Sequence, residues 1–243
     1  MRWASLALLS IACHASTPTQ PPAPEPIATS TPATDPVPPR DPEAKFADLE
    51  TRLLEAQSIR ITFDITAEGA TTAALRGVLE LSANGRAKLD ARGNFAGEPG
   101  EVHFTSDGRT MKGERGGKRF ELPTGKALQE SVLLGLTRMG LLHNLSALWG
   151  GRPPDLADGG IREWVVAIEH RDASTADHAA LGFDLAVQGT TMGDATLVLD
   201  AAGWPAERTQ TVHFPNGDMK VVERYEAFEV IAPAAPATTA RPP

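Results

Sequence analysis

Residues 59–92 have the sequence IRITFDITAEGATTAALRGVLELSANGRAKLDAR, and this stretch decides the fold class. Its first part alternates apolar and polar residues, which is the period of a half-buried β-strand. The apolar members are Ile59, Ile61, Phe63 and Ile65. Asn84-Gly85 is a strong signal for a two-residue hairpin turn. Strands joined by such short turns pair antiparallel, so the stretch predicts an antiparallel meander and not a parallel βαβ sheet.

The alternation continues on both sides of a long apolar segment. Before it, turns at Asp107-Gly108 and Gly116-Gly117 extend the meander to six strands ending near Leu122. After it, alternating segments between residues 163 and 230 bring the total to about eleven strands. Residues 43–56 carry apolar side chains at helical spacing and predict an amphipathic helix ahead of the first strand.

The apolar segment, residues 127–149, predicts an inserted helix that is apolar nearly all round and therefore buried. Gly135 and Gly140 each disfavour the helix by about 1 kcal/mol relative to alanine, so they mark places where it can break. Two interpretations stay open from the sequence: an ordinary core helix, or a helix that lines or closes a hydrophobic cavity.

Two motifs stand at fixed places in this order of elements: FTSDGR at residues 104–109 and LVLDAAGWP at residues 197–205. With the element order over residues 43–231, they resemble the LolA/LolB lipoprotein-carrier family and its mycobacterial lipid-binding relatives. The resemblance implies an α+β, mainly β fold: an incomplete antiparallel β-barrel of about eleven strands, with an N-terminal helix and an inserted apolar helix covering the open side. It also implies a strand arginine that contacts the lid helices, for which Arg86 and Arg92 are candidates.

The N-terminus predicts export. Residues 1–12 have a basic start followed by a short apolar run, the layout of a signal peptide too short to span a bilayer. Ser10-Ile11-Ala12-Cys13 resembles a bacterial lipobox, which implies that Cys13 is lipidated and becomes the mature N-terminus. Cleavage after Ala15, giving a protein secreted to the periplasm, is the main alternative, and a cytosolic protein is a third.

Two flanking segments have compositions typical of disorder. Residues 13–42 are rich in Pro and Thr and cannot bury enough apolar surface to fold, so they predict a linker behind the lipidated Cys13. Residues 232–243 predict a disordered tail. The folded domain is expected at residues 43–231.

The sequence offers no catalytic or metal-binding pattern. Its six histidines never occur as HxH, HxxxH or HExxH, its single cysteine excludes a disulfide framework, and no GxSxG motif is present. Acidic pairs such as Glu223 with Glu226 are interpreted as solvated charges. The net charge of −8 contains no basic block, which argues against nucleic acid. We therefore expect no enzyme activity, no metal and no cofactor.

With no catalytic or metal-binding pattern, the remaining candidate for a functional site is a hydrophobic cavity. The residues expected to line a ligand site are Ile61, Phe63, Leu79, Leu81, Phe104, Val132, Leu136, Met139 and Leu185. The leading hypothesis is a non-enzymatic envelope lipoprotein that binds a lipid or a lipoprotein acyl chain in a hydrophobic cavity. By this hypothesis the anchor places it in the outer membrane, facing the periplasm, with its protein partners unknown. The alternatives are an RseB-like envelope stress sensor, a scaffold whose core is simply filled, and, as the weakest, an enzyme of unknown type.

Overall fold

Eleven strands form one antiparallel sheet in the computed structural model, which describes residues 41–115, 117–125, 128–149 and 161–231. The first six strands are β1 (Ser58–Gly69), β2 (Ala73–Ser82), β3 (Arg86–Phe95), β4 (Glu98–Asp107), β5 (Thr110–Arg115) and β6 (Lys118–Pro123). The other five are β7 (Val165–Asp172), β8 (Ala179–Val187), β9 (Thr190–Leu199), β10 (Pro205–Phe214) and β11 (Gly217–Ile231). The predicted eleven-stranded antiparallel sheet is confirmed.

The strand order explains how the sheet encloses a core. It runs β6-β5-β4-β3-β2-β1-β11-β10-β9-β8-β7, so two meanders join where β1 pairs with β11 from Ser58↔Ile231 to Gly69↔Met219. β6 and β7 are the two ends of the sheet and do not pair with each other within the described residues. The barrel is therefore incomplete, as expected. The segment that links β6 to β7 carries the inserted helices, which places them at the open side.

In the described part of the chain four helices accompany the sheet: α1 (Pro42–Glu55), α2 (Leu128–Arg138), α3 (Leu141–Trp149) and α4 (Ile161–Trp164). The inserted apolar helix is thus two helices, and the break falls at Gly140, whose φ of +85° is a left-handed conformation that glycine adopts without strain. The strand predicted from Glu163 begins later, at Val165, because Glu163 and Trp164 form the end of α4.

The helices pack on the sheet face that carries the buried residues of the strands. Phe46, Leu49 and Leu53 of α1 join the inward residues of the strands in one hydrophobic cluster. α1, α2 and α4 contact β7, whereas α3 contacts β4 and β5. The helical layer therefore reaches from one end of the sheet to the opposite meander. Close burial of this apolar surface is the main stabilising contribution to such a domain.

Several expectations fall outside the described residues. These are the signal peptide at 1–12, the lipidated Cys13 with residues 13–40 of the predicted 13–42 linker, and the tail at 232–243. The last residue of the predicted linker, Pro42, is the first residue of α1. The domain limits at 43 and 231 stay predictions. Among the helices that the structure describes, none is long and apolar enough to cross a membrane.

Candidate functional site

The predicted ligand-lining residues lie almost entirely in the packed core. Eight of the nine side chains are at most 4% exposed: Ile61, Phe63, Leu79, Leu81, Phe104, Val132, Leu136 and Leu185. Met139 is partly buried and borders an apolar cavity. The structure thus brings the nine residues into one cluster. Their contact with a ligand stays a prediction.

The cavity that Met139 borders has a volume of about 290 Å³ and lies between α3 and the β10–β11 hairpin. Leu142 and Ser146 line it from α3, and Gln210 and Val212 line it from β10. Ligand pockets are mostly apolar with a few polar groups, and this lining has that character. Its size is close to the lower end of the usual range for small-molecule sites, about 300–1,000 Å³.

One end of the cavity reaches the surface. Phe214 ends β10, Phe95 ends β3 and Thr71 lies in the β1–β2 turn, and all three border the cavity. Phe214 is 39% exposed, although it is a large apolar side chain. The antiparallel order puts these strand ends at the same end of the sheet. The cavity therefore opens beside these strand ends.

A larger depression, of about 470 Å³, has a different character. Arg76, Asp90, Arg92 and His103 are among its lining residues. Asp90 lies 2.7 Å from the Lys88 ammonium and 2.8 Å from His103 Nδ1, and these hydrogen bonds lower the pKa of its carboxyl group. Exposed ion pairs of this kind contribute little to stability and do not suit an apolar ligand. Among the described residues, no group of three or more His, Cys, Asp or Glu side chains could hold a metal ion.

An arginine of strand β10, Arg208, contacts the helices. Its side chain is fully buried, and Nη2 donates to the carbonyl oxygen of Arg138, the last residue of α2. Arg86 and Arg92, the candidates implied by the resemblance, are both exposed. Burial lowers the pKa of Arg208, and the charge of Glu223 opposes this shift. Arg208 was missed because an arginine in an alternating strand is normally assigned to the solvent face.

Glu223 on β11 is also fully buried, so its interpretation as a solvated charge was wrong. Its carboxylate accepts hydrogen bonds from the backbone N–H groups of Leu141 and Leu142, each at 2.8 Å, and from the Tyr225 hydroxyl at 2.6 Å. Burial, together with the charge of Glu223, raises the pKa of Tyr225 well above its ordinary value. One signal could have revealed Glu223: it shares the strand phase of the apolar residues Val221 and Tyr225.

Arg208 and Glu223 act together, and we call this pair the buried clamp. The two residues are direct cross-strand partners between β10 and β11. Arg208 binds the C-terminal end of α2 and Glu223 binds the N-terminal end of α3, so each charge meets the helix end of opposite polarity. A Cβ atom at Gly140 would lie 2.6 Å from Glu223 Oε1 and 2.9 Å from Arg208 Nη1. The clamp therefore fixes the α2–α3 break directly onto the sheet.

Comparisons with known proteins assign no family to this chain. No protein-family model matches the chain, and no curated protein matches it. Among solved structures, a LolA superfamily protein from Nitrosomonas europaea is 9% identical, with 77% of this chain and 92% of that chain covered and a TM-score of 0.35.

Two further structures are similar at the same level. LprF from Mycobacterium bovis is 11% identical, with 80% of this chain and 96% of that chain covered and a TM-score of 0.36. The Pseudomonas aeruginosa MucA/MucB complex matches at 17% identity, with 79% and 59% covered and a TM-score of 0.32. All three TM-scores are below 0.5. The incomplete barrel is defined by the strand pairing of this chain itself.

A second cluster of polar side chains joins the helices to one another. Arg138 donates from Nε and Nη2 to the two carboxylate oxygens of Glu50 on α1, both at 2.8 Å. Its Nη1 donates to the carbonyl oxygen of Val165 at 2.7 Å, and the hydroxyl of Thr137 donates to Glu50 at 2.9 Å. This two-point arginine–carboxylate geometry is the most specific form of ion pair. It joins α1, α2 and the start of β7 through direct hydrogen bonds.

Proposed function

We propose that this chain is a non-enzymatic envelope protein that binds the acyl chain of a lipid or lipoprotein in the cavity between α3 and the β10–β11 hairpin. One observation carries the proposal: an apolar cavity of about 290 Å³ that reaches the surface beside a packed core. The apolar lining of this cavity is in contact with water, so an apolar ligand that covers it is stabilised by removing that surface from water. Burial of an acyl chain there gains about 25 cal/mol per Å² of apolar surface removed from water.

The proposed mechanism separates a small site from a larger one. The end of the ligand's acyl chain enters beside Phe214 and lies between Leu142 and Val212. Meanwhile the buried clamp holds α2 and α3 in place. A bulkier ligand requires the two helices to move away from the sheet. That movement would expose Val132 and Leu136, and with them the other core residues predicted to line the site.

A titration of the full chain with a fluorescent dodecanoyl ester tests this site. Val212→Trp fills the cavity and is expected to weaken binding at least tenfold. Val166→Trp is the matched control, because Val166 is 39% exposed on the edge strand β7 and does not border the cavity. Binding to Val212→Trp that equals binding to the wild type would contradict the assignment of the cavity.

The packed core favours one alternative, a scaffold that takes up no ligand. Eight of the nine predicted lining residues are already buried against other side chains, as in an ordinary filled core. In that case the wild type fails to bind the dodecanoyl ester at any concentration at which the ester stays soluble. The same titration therefore decides between a binding protein and a scaffold.

We further propose that Cys13 carries a lipid anchor and that residues 13–42 tether the domain to the outer membrane, facing the periplasm. Such an anchor suits a fixed receptor better than a mobile carrier. Metabolic labelling with a palmitate analogue should label the wild type and not Cys13→Ala. Equal labelling of both proteins would favour secretion to the periplasm after cleavage at Ala15.

A further inference from the structure

Gln210 is the polar residue of the cavity whose orientation the structure fixes. It lies on the inward side of β10, it is 6% exposed and it borders the cavity. Arg208 Nη1 donates to Gln210 Oε1. An arginine side chain carries donors only, so the atom of Gln210 that faces it must be the oxygen. The amide nitrogen of Gln210 consequently faces away from Arg208.

The two N–H groups on that nitrogen have no acceptor among the described residues, and the nitrogen is not fully enclosed by protein atoms, so it can donate to a ligand in the cavity. The hydroxyl of Ser146, also in the cavity lining, donates instead to the His143 carbonyl oxygen at 2.7 Å. Gln210 thus presents a fixed donor pair in an otherwise mostly apolar site.

We propose that the ligand is an acyl ester whose carbonyl oxygen accepts a hydrogen bond from the Gln210 amide, an inference that rests on the proposed function. The hydrocarbon part then contacts Leu142, Val212 and Val221. A neutral ester needs less charge compensation than a carboxylate, and the lining has no lysine or arginine; its one ionisable side chain is His143, whose ring also contacts Trp164. Glycerolipids and acylated lipoproteins both carry this ester group.

The test compares methyl decanoate with undecane, two ligands of similar length that differ in the ester group. Each displaces the fluorescent dodecanoyl ester from the full chain. Gln210→Glu keeps an oxygen for Arg208 but replaces the donor nitrogen with an acceptor. We expect the ratio of ester to alkane affinity to fall about five- to tenfold, the value of one hydrogen bond of ordinary strength. Gln188→Glu, the same change at an exposed turn, should leave the ratio unchanged.

Gln210→Met serves as a second variant in case Gln210→Glu does not fold. It removes the two donors without adding a charge, and it should lower the ratio of ester to alkane affinity equally. A variant-free measurement is the carbonyl stretch of bound methyl decanoate, which should show the lower frequency of a hydrogen-bonded ester.

Two results would overturn the inference: an unchanged ratio in both Gln210 variants while both ligands still bind, or decanoate anion binding more tightly than its ester. If the wild type binds neither undecane nor the ester, the proposed function itself is refuted.

Discussion

Glu223→Gln is the substitution that probes the buried clamp most sharply. The change keeps the size of the side chain and removes its charge. In the wild type the carboxylate accepts three hydrogen bonds, from the N–H groups of Leu141 and Leu142 and from the Tyr225 hydroxyl. An amide offers one oxygen, so its N–H₂ group must face one of these donors. The variant also removes a negative charge that favours the charged form of the fully buried Arg208.

The magnitude follows from these two losses. A hydrogen bond to a charged group is worth about 1.5–3 kcal/mol. Leaving a buried charge without its counter-charge costs up to about 3–5 kcal/mol, the value found when one partner of a buried ion pair is removed. The two values describe overlapping effects, so the expected loss of unfolding free energy is about 3–5 kcal/mol in total. For a domain of this size each kcal/mol lowers Tm by about 2–4 °C, which gives a decrease of about 6–20 °C.

Thermal and urea unfolding of the full chain measure this loss, with Glu226→Gln as the matched control. Glu226 lies on the same strand but is exposed, so its variant should stay within about 0.5 kcal/mol of the wild type. Arg208→Met in the Glu223→Gln background should recover part of the loss, because it removes the unpaired buried charge. Equal, small shifts in Glu223→Gln and Glu226→Gln would refute the clamp.

Three further predictions concern the clamp and the hairpin beside the cavity mouth. Gly140→Ala should destabilise the protein more than Gly97→Ala. Both glycines have positive φ (+85° and +82°), but only a Cβ atom at Gly140 meets the clamp. Equal losses of unfolding free energy in urea would contradict this. Tyr225 is the sole tyrosine, and its pKa is raised by burial, so absorbance at 295 nm should show no ionisation near pH 10 in the folded protein. Since the unfolded chain ionises first, stability should decline as the pH rises above 10, and an ordinary titration midpoint would argue against burial. The hydrogen bond to Asp218 raises the pKa of His213, so this contribution to stability is complete below pH 6.5 and is lost as the pH rises through the folded pKa. NMR titration should show this pKa falling toward 6.5 in Asp218→Asn, and no change would exclude the contact.

The architecture could be predicted from local sequence patterns. Alternation from Ile59 onward, with turn pairs such as Asn84-Gly85, determined the strand count and the antiparallel order. These signals act over a few residues, and a buried face fixes the register strongly. The break at Gly140 was also visible, since glycine both weakens a helix and permits the positive φ found there.

The clamp and the cavity could not be predicted in the same way. Arg208 and Gln210 are polar residues at inward positions of β10, so alternation alone assigns them to the wrong face. Their burial depends on partners far away in the chain, such as the Arg138 carbonyl 70 residues earlier. The cavity lining likewise comes from α3, β10 and the β1–β2 turn. Only tertiary packing brings these elements together.

The methionine methyl groups provide the most direct test of ligand binding in the cavity. Met139 and Met219 border the cavity, whereas Met111 is buried elsewhere in the core and Met192 lies on β9 outside the lining. With ¹³C-methyl methionine in the full chain and bound methyl decanoate, nuclear Overhauser contacts to the hydrocarbon chain should arise from Met139 and Met219 only. Contacts from Met111 or Met192 instead, or from none of the four, would contradict acyl-chain binding at this site.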